Sequence, residues 1–447
     1  MHFVVFCITM LNRVKITLKG DYRMNYLETS KNELNAELAK MQAEYKKYQD
    51  MGLNLDMSRG KPGSSQLDLS EGMLTVLTSK EDCKSVNGLD CRNYGVLDGV
   101  PEMKEIFAKV LGVDTSELMV GGNSSLNMMF DTISTMMTAN VNGGTPWCKL
   151  DKIKWLCPVP GYDRHFTITE YFGFEMITVP MTPQGPDMDI IEELVSEDSS
   201  IKGIWCVPKY SNPQGVTYSD ETVTRFAKLK PAADDFRIMW DNAYVIHDIA
   251  EQGDTLLNLM DECKKYGNED LPIMFTSTSK ITFPGAGIAC MATSEKNMKF
   301  FKKKYAVQTI GYDKLNMLRH VKFFGNYDGL MEHMQKHRAV LEPRFNAVIK
   351  KLEDNLSGYG IAQWLNPKGG YFISVDVYEG CAKRTVQLCK EAGVILTGAG
   401  ATFPYGNDPQ DSNIRLAPTL PPVEELELAM DLFCVCAKLA ALEKLTK

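Results

Sequence analysis

The chain has little that would suit a metal, a nucleic acid or a membrane. Its 12 cysteines include no CxxC pair and no Cys/His cluster, so neither a metal site nor a disulfide framework is expected. Reduced core thiols suit a cytoplasmic protein. Basic charge is not in excess either: the formal net charge is -8, so nucleic acid or an anionic membrane would meet a repulsive average field. No run is long and apolar enough for a transmembrane helix. The opening MHFVVFCITMLNRVKITLKGDYRM carries a short apolar run with no Lys or Arg before it, unlike a secretory signal. Residues 1–24 are expected to be an N-terminal extension, with the working protein starting near Met24. Internal repeats and low-complexity linkers are missing too.

What is present describes an ordinary globular protein of two or three domains: 447 residues, 44% hydrophobic and 24% charged. From Tyr26 to Tyr48 the apolar spacing predicts one long amphipathic helix. From about Gly121 to Ala289 short β-rich runs alternate with helical stretches such as SDETVTRFAKL, led by a serine cap. That alternation predicts an α/β fold with a mostly parallel sheet covered on both faces. After about Lys322 a helical region, the run GGYFISVDV and a helix opening on PPVEELELAM predict a smaller α+β unit, with the prolines in that helix's first turn.

In such sheets ligands bind beyond the carboxyl ends of the strands. There, IKWLC is followed by PVPGYDRH, GIWCV by PKYSNPQG, FRIMW by DNAY, and LPIMF by TSTSK. All four continuations are polar or turn-forming. The last places Lys280 between small hydroxyl residues and a Pro-Gly-Ala-Gly turn. A solvated face would need no such setting.

In order and spacing, NYGVLDGVPEMKE, GGNSSLN, PGYDRH, SNPQG, DNAY, STSK and IRLAP resemble the fold type I pyridoxal-phosphate enzymes, specifically the aminotransferases, from about Tyr48 onward. The PGAG and RGKPG segments resemble a divergent bacterial group of aspartate aminotransferases. The resemblance implies an N-terminal arm and part of a small domain over 25–75, a large cofactor-binding domain over 76–325, and the rest of the small domain over 326–447. By the same resemblance Lys280 binds pyridoxal 5'-phosphate covalently and moves the substrate's α-proton. Asp241 pairs with the pyridine nitrogen, and Tyr244 and Asn212 hydrogen-bond the phenolic oxygen. Tyr162 stacks on the ring, while nearby His165 reads more simply as structural. Asn123, Ser124, Ser125 and Ser277 bind the phosphate, the first three at a helix N-terminus after Gly122.

Tyr94 matches a tyrosine that reaches the neighbouring subunit's phosphate, which implies a homodimer. Arg415, with Asn212 beside the substrate, matches the arginine that grips the α-carboxylate. Arg59 is the first candidate for a distal carboxylate; Lys61, Lys209 and Lys314 are others. Most relatives carry an arginine in the turn after the lysine, where this chain has Gly287. Lys314 is a candidate replacement, and a solvated lysine is an equal reading of it. The implied activity is amino transfer between an acidic amino acid, aspartate first, and a 2-oxo acid, 2-oxoglutarate. Alternatives are a β-lyase, an aminotransferase for another amino acid and, ranked below them, a non-catalytic regulator, for which no basic helix-turn-helix module is present.

Overall fold

A computed structural model describes residues 24–447. The expected N-terminal extension, apart from Met24, lies outside the described residues. The strands are β1 (Leu55–Asp56), β2 (Leu118–Val120), β3 (Lys154–Val159), β4 (Glu175–Thr182), β5 (Gly185–Pro186), β6 (Ile201–Cys206), β7 (Arg237–Asp241), β8 (Pro272–Ser277), β9 (Ala289–Ala292), β10 (Ala362–Trp364), β11 (Ile373–Val377), β12 (Val394–Ile395) and β13 (Asn413–Leu416). Eight of them form one sheet in the order β2-β9-β8-β7-β6-β3-β4-β5. The stretch β8-β7-β6-β3-β4 is parallel throughout. β9 runs against both β8 and β2, and β5 runs against β4.

Successive strand residues face opposite ways, so a sheet covered on both sides needs apolar residues at every position. The central strands supply them. Ile238, Trp240 and Met274 join the core on one face, and Met239, Ile273 and Phe275 join the core on the other. The loops that leave the carboxyl ends of β3, β6, β7 and β8 therefore emerge together at one edge. This sets the candidate residues side by side.

The predicted helix over Tyr26–Tyr48 is two elements, a 3-10 turn at Tyr26–Glu28 and an α-helix at Lys31–Asp50. Ser30 separates them. Its side chain accepts from the Glu33 N–H while the Glu33 carboxylate accepts from the Ser30 N–H, a capping box that starts a helix inside an otherwise helical pattern. That helix packs on the C-terminal helix Val423–Leu445, so both ends of the chain share one core with the antiparallel sheet β10-β11-β13. β1 pairs with β12 in the same region. Pro422 stands one residue before the C-terminal helix, as its cap, and not within the first turn as predicted.

Residues 278–282, which follow β8, are held from behind by the helices Lys314–Phe324 and Tyr327–Leu356. His320 Nε2 lies 3.1 Å from Thr278 Oγ1 and 2.8 Å from Thr282 Oγ1. His333 and His337 each bring Nε2 to 2.8 Å from the Ile281 carbonyl oxygen. Gln66 Nε2 donates to His337 Nδ1 at 3.2 Å and to the Tyr371 hydroxyl at 2.9 Å, and that hydroxyl donates to the Lys280 carbonyl at 3.2 Å. With its Nδ1 accepting, a neutral His337 carries its proton on Nε2 and donates it to the carbonyl, while His333 Nε2 also lies 3.1 Å from His337 Nε2 and 3.3 Å from Ser70 Oγ.

Burial pushes His320 and His337 down to about 4. Their folded values lie below the unfolded value, so their contribution to stability is complete above about pH 6.5 and is lost as the pH falls towards 4. Unfolding in urea should show a free energy that falls below pH 6.5 with a slope of up to about 2.7 kcal/mol per pH unit from the two rings together. In the double variant His320→Gln, His337→Gln the fall should be shallower. An equally steep fall would assign the acid sensitivity to other groups.

Candidate active site

At the carboxyl edge of the sheet lies a cavity of about 180 Å³ lined by Ser124, Ser125, Tyr162, Asn212, Asp241, Tyr244, Ser277, Ser279 and Lys280, with Leu126, Met129, Val207 and Ala243 as its apolar walls. Two larger surface hollows, of about 400 and 450 Å³, are lined around Glu102 and Lys322 and around Trp147 and Glu175. Neither brings a lysine together with a buried carboxylate. The smaller cavity does.

Lys280 is half-buried in the wall of this cavity, with its amine 5.0 Å from the centre of the Tyr244 ring and 5.8 Å from that of Tyr371. Burial lowers its pKa, and the Asp241 carboxylate opposes that shift. Asp241 ends β7, the sheet neighbour of β8, and Phe275 of β8 lies opposite it in register. One carboxylate oxygen, Oδ2, stands 3.0 Å from His165 Nε2. The other, Oδ1, is buried and has no partner among the described residues. His165, read from the sequence as structural, is buried and partners Asp241. Its ring stacks on Trp205 at 4.4 Å, and the Trp205 N–H donates to Thr169 Oγ1 at 2.8 Å. Burial first, then the Asp241 charge, raises the Tyr162 hydroxyl's pKa, and burial raises that of Tyr244.

At the opposite wall the helix Ser125–Thr138 starts at Ser124, whose hydroxyl accepts from the Asn127 N–H. Ser277 Oγ donates to Ser279 Oγ at 3.0 Å. Asn123 is exposed and does not line the cavity; a Cβ on Gly287 would stand 2.6 Å from its carbonyl oxygen. The turn that bears an arginine in most relatives therefore has no room for a side chain here.

Arg415, on β13, is nearly buried. Its Nη1 donates to Asp163 Oδ1 at 2.8 Å and to Asn212 Oδ1 at 3.2 Å, its guanidinium lies 4.8 Å from the centre of the Phe372 ring, and its Nε has no acceptor. Gly60 packs against the same ring, since a Cβ there would stand 2.4 Å from it. The segment bearing Arg59 is thus one aromatic ring away from Arg415. Arg59 and Lys61 are exposed.

Two expectations need correction. Lys209 is not free to meet a substrate, because its amine donates to Asp248 Oδ1 at 2.9 Å and to the Val245 carbonyl at 3.0 Å. Lys314 is not solvated; it is buried in the first turn of its helix, outside the lining of the cavity. Tyr94, expected to reach a neighbouring subunit, is 81% exposed and does not line the cavity of its own chain. Sequence reasoning missed Asp163, Tyr371 and Phe372. The last two follow Gly369 and Gly370, whose Cβ atoms would collide with Tyr210, and a glycine pair before two aromatic residues is a signal of such close approach.

The residues present fit pyridoxal phosphate on their own chemistry. A half-buried lysine, a carboxylate oxygen without a donor and a helix N-terminus flanked by serine hydroxyls meet in one cavity. The family model described as aspartate amino-transferase matches residues 29–447. The aspartate aminotransferase of Corynebacterium glutamicum is 48% identical over 88% of this chain and 90% of its own length. The crystal structure of an aspartate transaminase from that organism superposes with a TM-score of 0.92 at 44% identity, covering 94% of this chain and 99% of the other. An α-aminoadipate aminotransferase of Thermus thermophilus, complexed with N-(5'-phosphopyridoxyl)-L-leucine, shares the fold at 18% identity, with a TM-score of 0.71 over 94% of this chain and 97% of its own.

Gly287→Ala should displace the Asn123 carbonyl and with it the loop that leads into the helix at Ser125. Overpacking of this kind costs about 1–3 kcal/mol. Affinity for pyridoxal 5'-phosphate, measured by fluorescence titration, should fall by about tenfold or more. Unchanged affinity would show that the loop can move without disturbing the site.

Proposed function

The chain belongs to the aspartate aminotransferase family, and from that premise we propose that it transfers the amino group of an acidic amino acid, aspartate first, to 2-oxoglutarate. The observation that carries this reading is that Lys280 and Asp241, whose Oδ1 has no partner among the described residues, line one cavity and that burial lowers the pKa of the lysine amine. Pyridoxal phosphate, when bound, supplies an electron sink for the carbanion left by loss of the α-proton.

The chain's own residues divide the remaining work. Lys280 Nζ would bind the cofactor covalently and then take the α-proton and return it, which needs an amine whose proton burial makes easier to lose. Asp241 Oδ1 would hold a proton on the pyridine nitrogen, with Oδ2 tied to His165 so that the carboxylate cannot turn away. Tyr244 and Asn212 would hydrogen-bond the phenolic oxygen, and Tyr162 would cover the ring. Ser124, Ser125, Ser277 and Ser279 would hold the phosphate with the backbone at Asn123. Arg415 would grip the α-carboxylate, since amino acid and oxo acid both carry one.

Two roles reach beyond the cavity. Lys314 would help to balance the phosphate charge: two residues on in the same helix, the Asn316 amide donates to the Ala286 and Gly287 carbonyls, at the turn where relatives carry arginine. Tyr94 would contribute to a second copy's site in a homodimer. Its loop abuts Gly311, and Tyr94 and Ile310, which flank that contact, are both exposed apolar residues.

Borohydride reduction of the holoenzyme should fix the cofactor on the peptide that contains Lys280, and Lys280→Ala should lose turnover by at least about a thousandfold while still binding cofactor. Label on another lysine would overturn the site. Purified enzyme should convert aspartate and 2-oxoglutarate to oxaloacetate and glutamate. Release of pyruvate and ammonia from a substrate with a β-leaving group, without transfer, would indicate a lyase instead.

A dicarboxylate needs a second cation, because a carboxylate buried without one costs several kcal/mol. Arg59 would supply it from the segment packed on Phe372. Arg59→Ala should reduce kcat/KM for aspartate by roughly tenfold to a hundredfold, the scale of a lost charged hydrogen bond, with little change for alanine. Equal losses for both substrates would place Arg59 in the scaffold or on the shared α-carboxylate.

A further inference from the structure

We infer that Asp163 is a resident counter-ion of Arg415, which a substrate's carboxylate displaces on entry, and that this exchange sets the affinity for both amino acid and oxo acid. The inference rests on the proposed role of Arg415 as the carboxylate grip. Its basis is the geometry at the guanidinium. Nη1 is occupied by Asp163 Oδ1 at 2.8 Å and Asn212 Oδ1 at 3.2 Å, while Nε is buried with no acceptor. The ion pair is therefore monodentate, and part of the guanidinium fork is unsatisfied.

A second carboxylate can use the fork better than Asp163 does, because two parallel hydrogen bonds outweigh one. It cannot simply be added. Two carboxylates on one nearly buried cation leave an excess negative charge in a region of low dielectric. One has to leave. The side chain of Arg415 is 7% exposed and has nowhere to go, whereas that of Asp163 is 35% exposed and can turn towards water. Asp163 is also the first residue of the helix Asp163–Tyr171, immediately after Tyr162, so its charge remains favourably placed at a helix N-terminus after it lets go of Arg415.

The arrangement has two consequences. Without substrate, Arg415 is spared the penalty of a buried, unpaired charge. With substrate, the gain is the difference between two carboxylate contacts, so binding is weaker than at an unopposed arginine. The same weakening applies to the amino acid and to the oxo acid, because the α-carboxylate is common to them.

The test compares holoenzyme of the wild type with Asp163→Asn, which keeps the shape and removes the charge, and with Asp163→Ser as a second uncharged variant. The probes are KM for aspartate and for 2-oxoglutarate, and the dissociation constant of succinate, an unreactive dicarboxylate, by calorimetry. Removing the charge should lower all three by about threefold to tenfold, with kcat moving less than KM. Raised or unchanged values in both variants would overturn the inference and make Asp163 a support that positions Arg415. Arg415→Ala serves as the control on the underlying reading. If it leaves succinate binding intact, the grip itself is misassigned; if it abolishes binding and Asp163→Asn does not tighten it, only the counter-ion fails.

Discussion

A primary amine taken out of water keeps its proton only if a negative group replaces the lost hydration, and at Lys280 two opposed effects meet. Burial favours the neutral amine, and Asp241, on the adjacent strand, favours the charged one. A lysine that must act as nucleophile and then as base needs that balance, since a fully charged amine does neither. The rest of the cavity follows from it. Asp241 has to stay ionised and oriented without lying so close that it fixes the proton on the amine. His165 meets that need by occupying Oδ2 and leaving Oδ1 towards the cavity, and the stack on Trp205 holds the imidazole in place.

The amine is positioned as much from its backbone as from its head. Residues 278–282 are gripped by His320, His333 and His337 from two helices and, through Tyr371, by Gln66 from near the start of the fold. Tyr371 touches the lysine at both ends: its hydroxyl meets the carbonyl, and its ring lies below the ammonium. Chain segments separated by some three hundred residues therefore fix one short loop. This explains why so many imidazoles are buried around it. A neutral histidine can donate to a carbonyl from one nitrogen and accept from an amide at the other, which lets it bridge buried polar groups without carrying charge.

Much of this site was legible in the sequence because it lies at strand ends. The runs IKWLC, GIWCV, FRIMW and LPIMF became β3, β6, β7 and β8, and the residues just after them line the cavity, as a parallel sheet requires. What escaped was whatever depends on contacts between distant segments. The pairing of Lys209 with Asp248 joins residues 39 positions apart, and that of Arg415 with Asp163 joins residues 252 apart. No local pattern announces either. His165 and Asp163 sit in the same motif as Tyr162, and their roles appear only when β13 and β7 are set beside it. The break at Ser30 was different in kind: Ser30 and Glu33 are visible in the sequence as a capping box, and the apolar spacing across them masked it.

The departure at Gly287 has a physical reason that extends to the charge balance of the whole site. The loop over residues 121–125 is pressed between Tyr312, against which a Cβ on Gly121 would stand at 2.2 Å, and Gly287, which its Asn123 carbonyl overlies. Bare glycine on both sides lets the loop come down onto the turn after the lysine and fixes the N-terminus of the helix Ser125–Thr138 at the cavity wall. A helix end offers about half a positive charge, and the serine hydroxyls offer hydrogen bonds but no charge. A phosphate monoester carries about 1.5 to 2 negative charges, so these groups leave about one charge unmatched. Lys314 is a buried lysine with no carboxylate in salt-bridge reach among the described residues, in the same helical turn as the Asn316 amide that donates to Gly287. A buried cation without its own anion is costly to keep, and an incoming phosphate at this corner would relieve that cost while meeting the charge that the missing arginine leaves open.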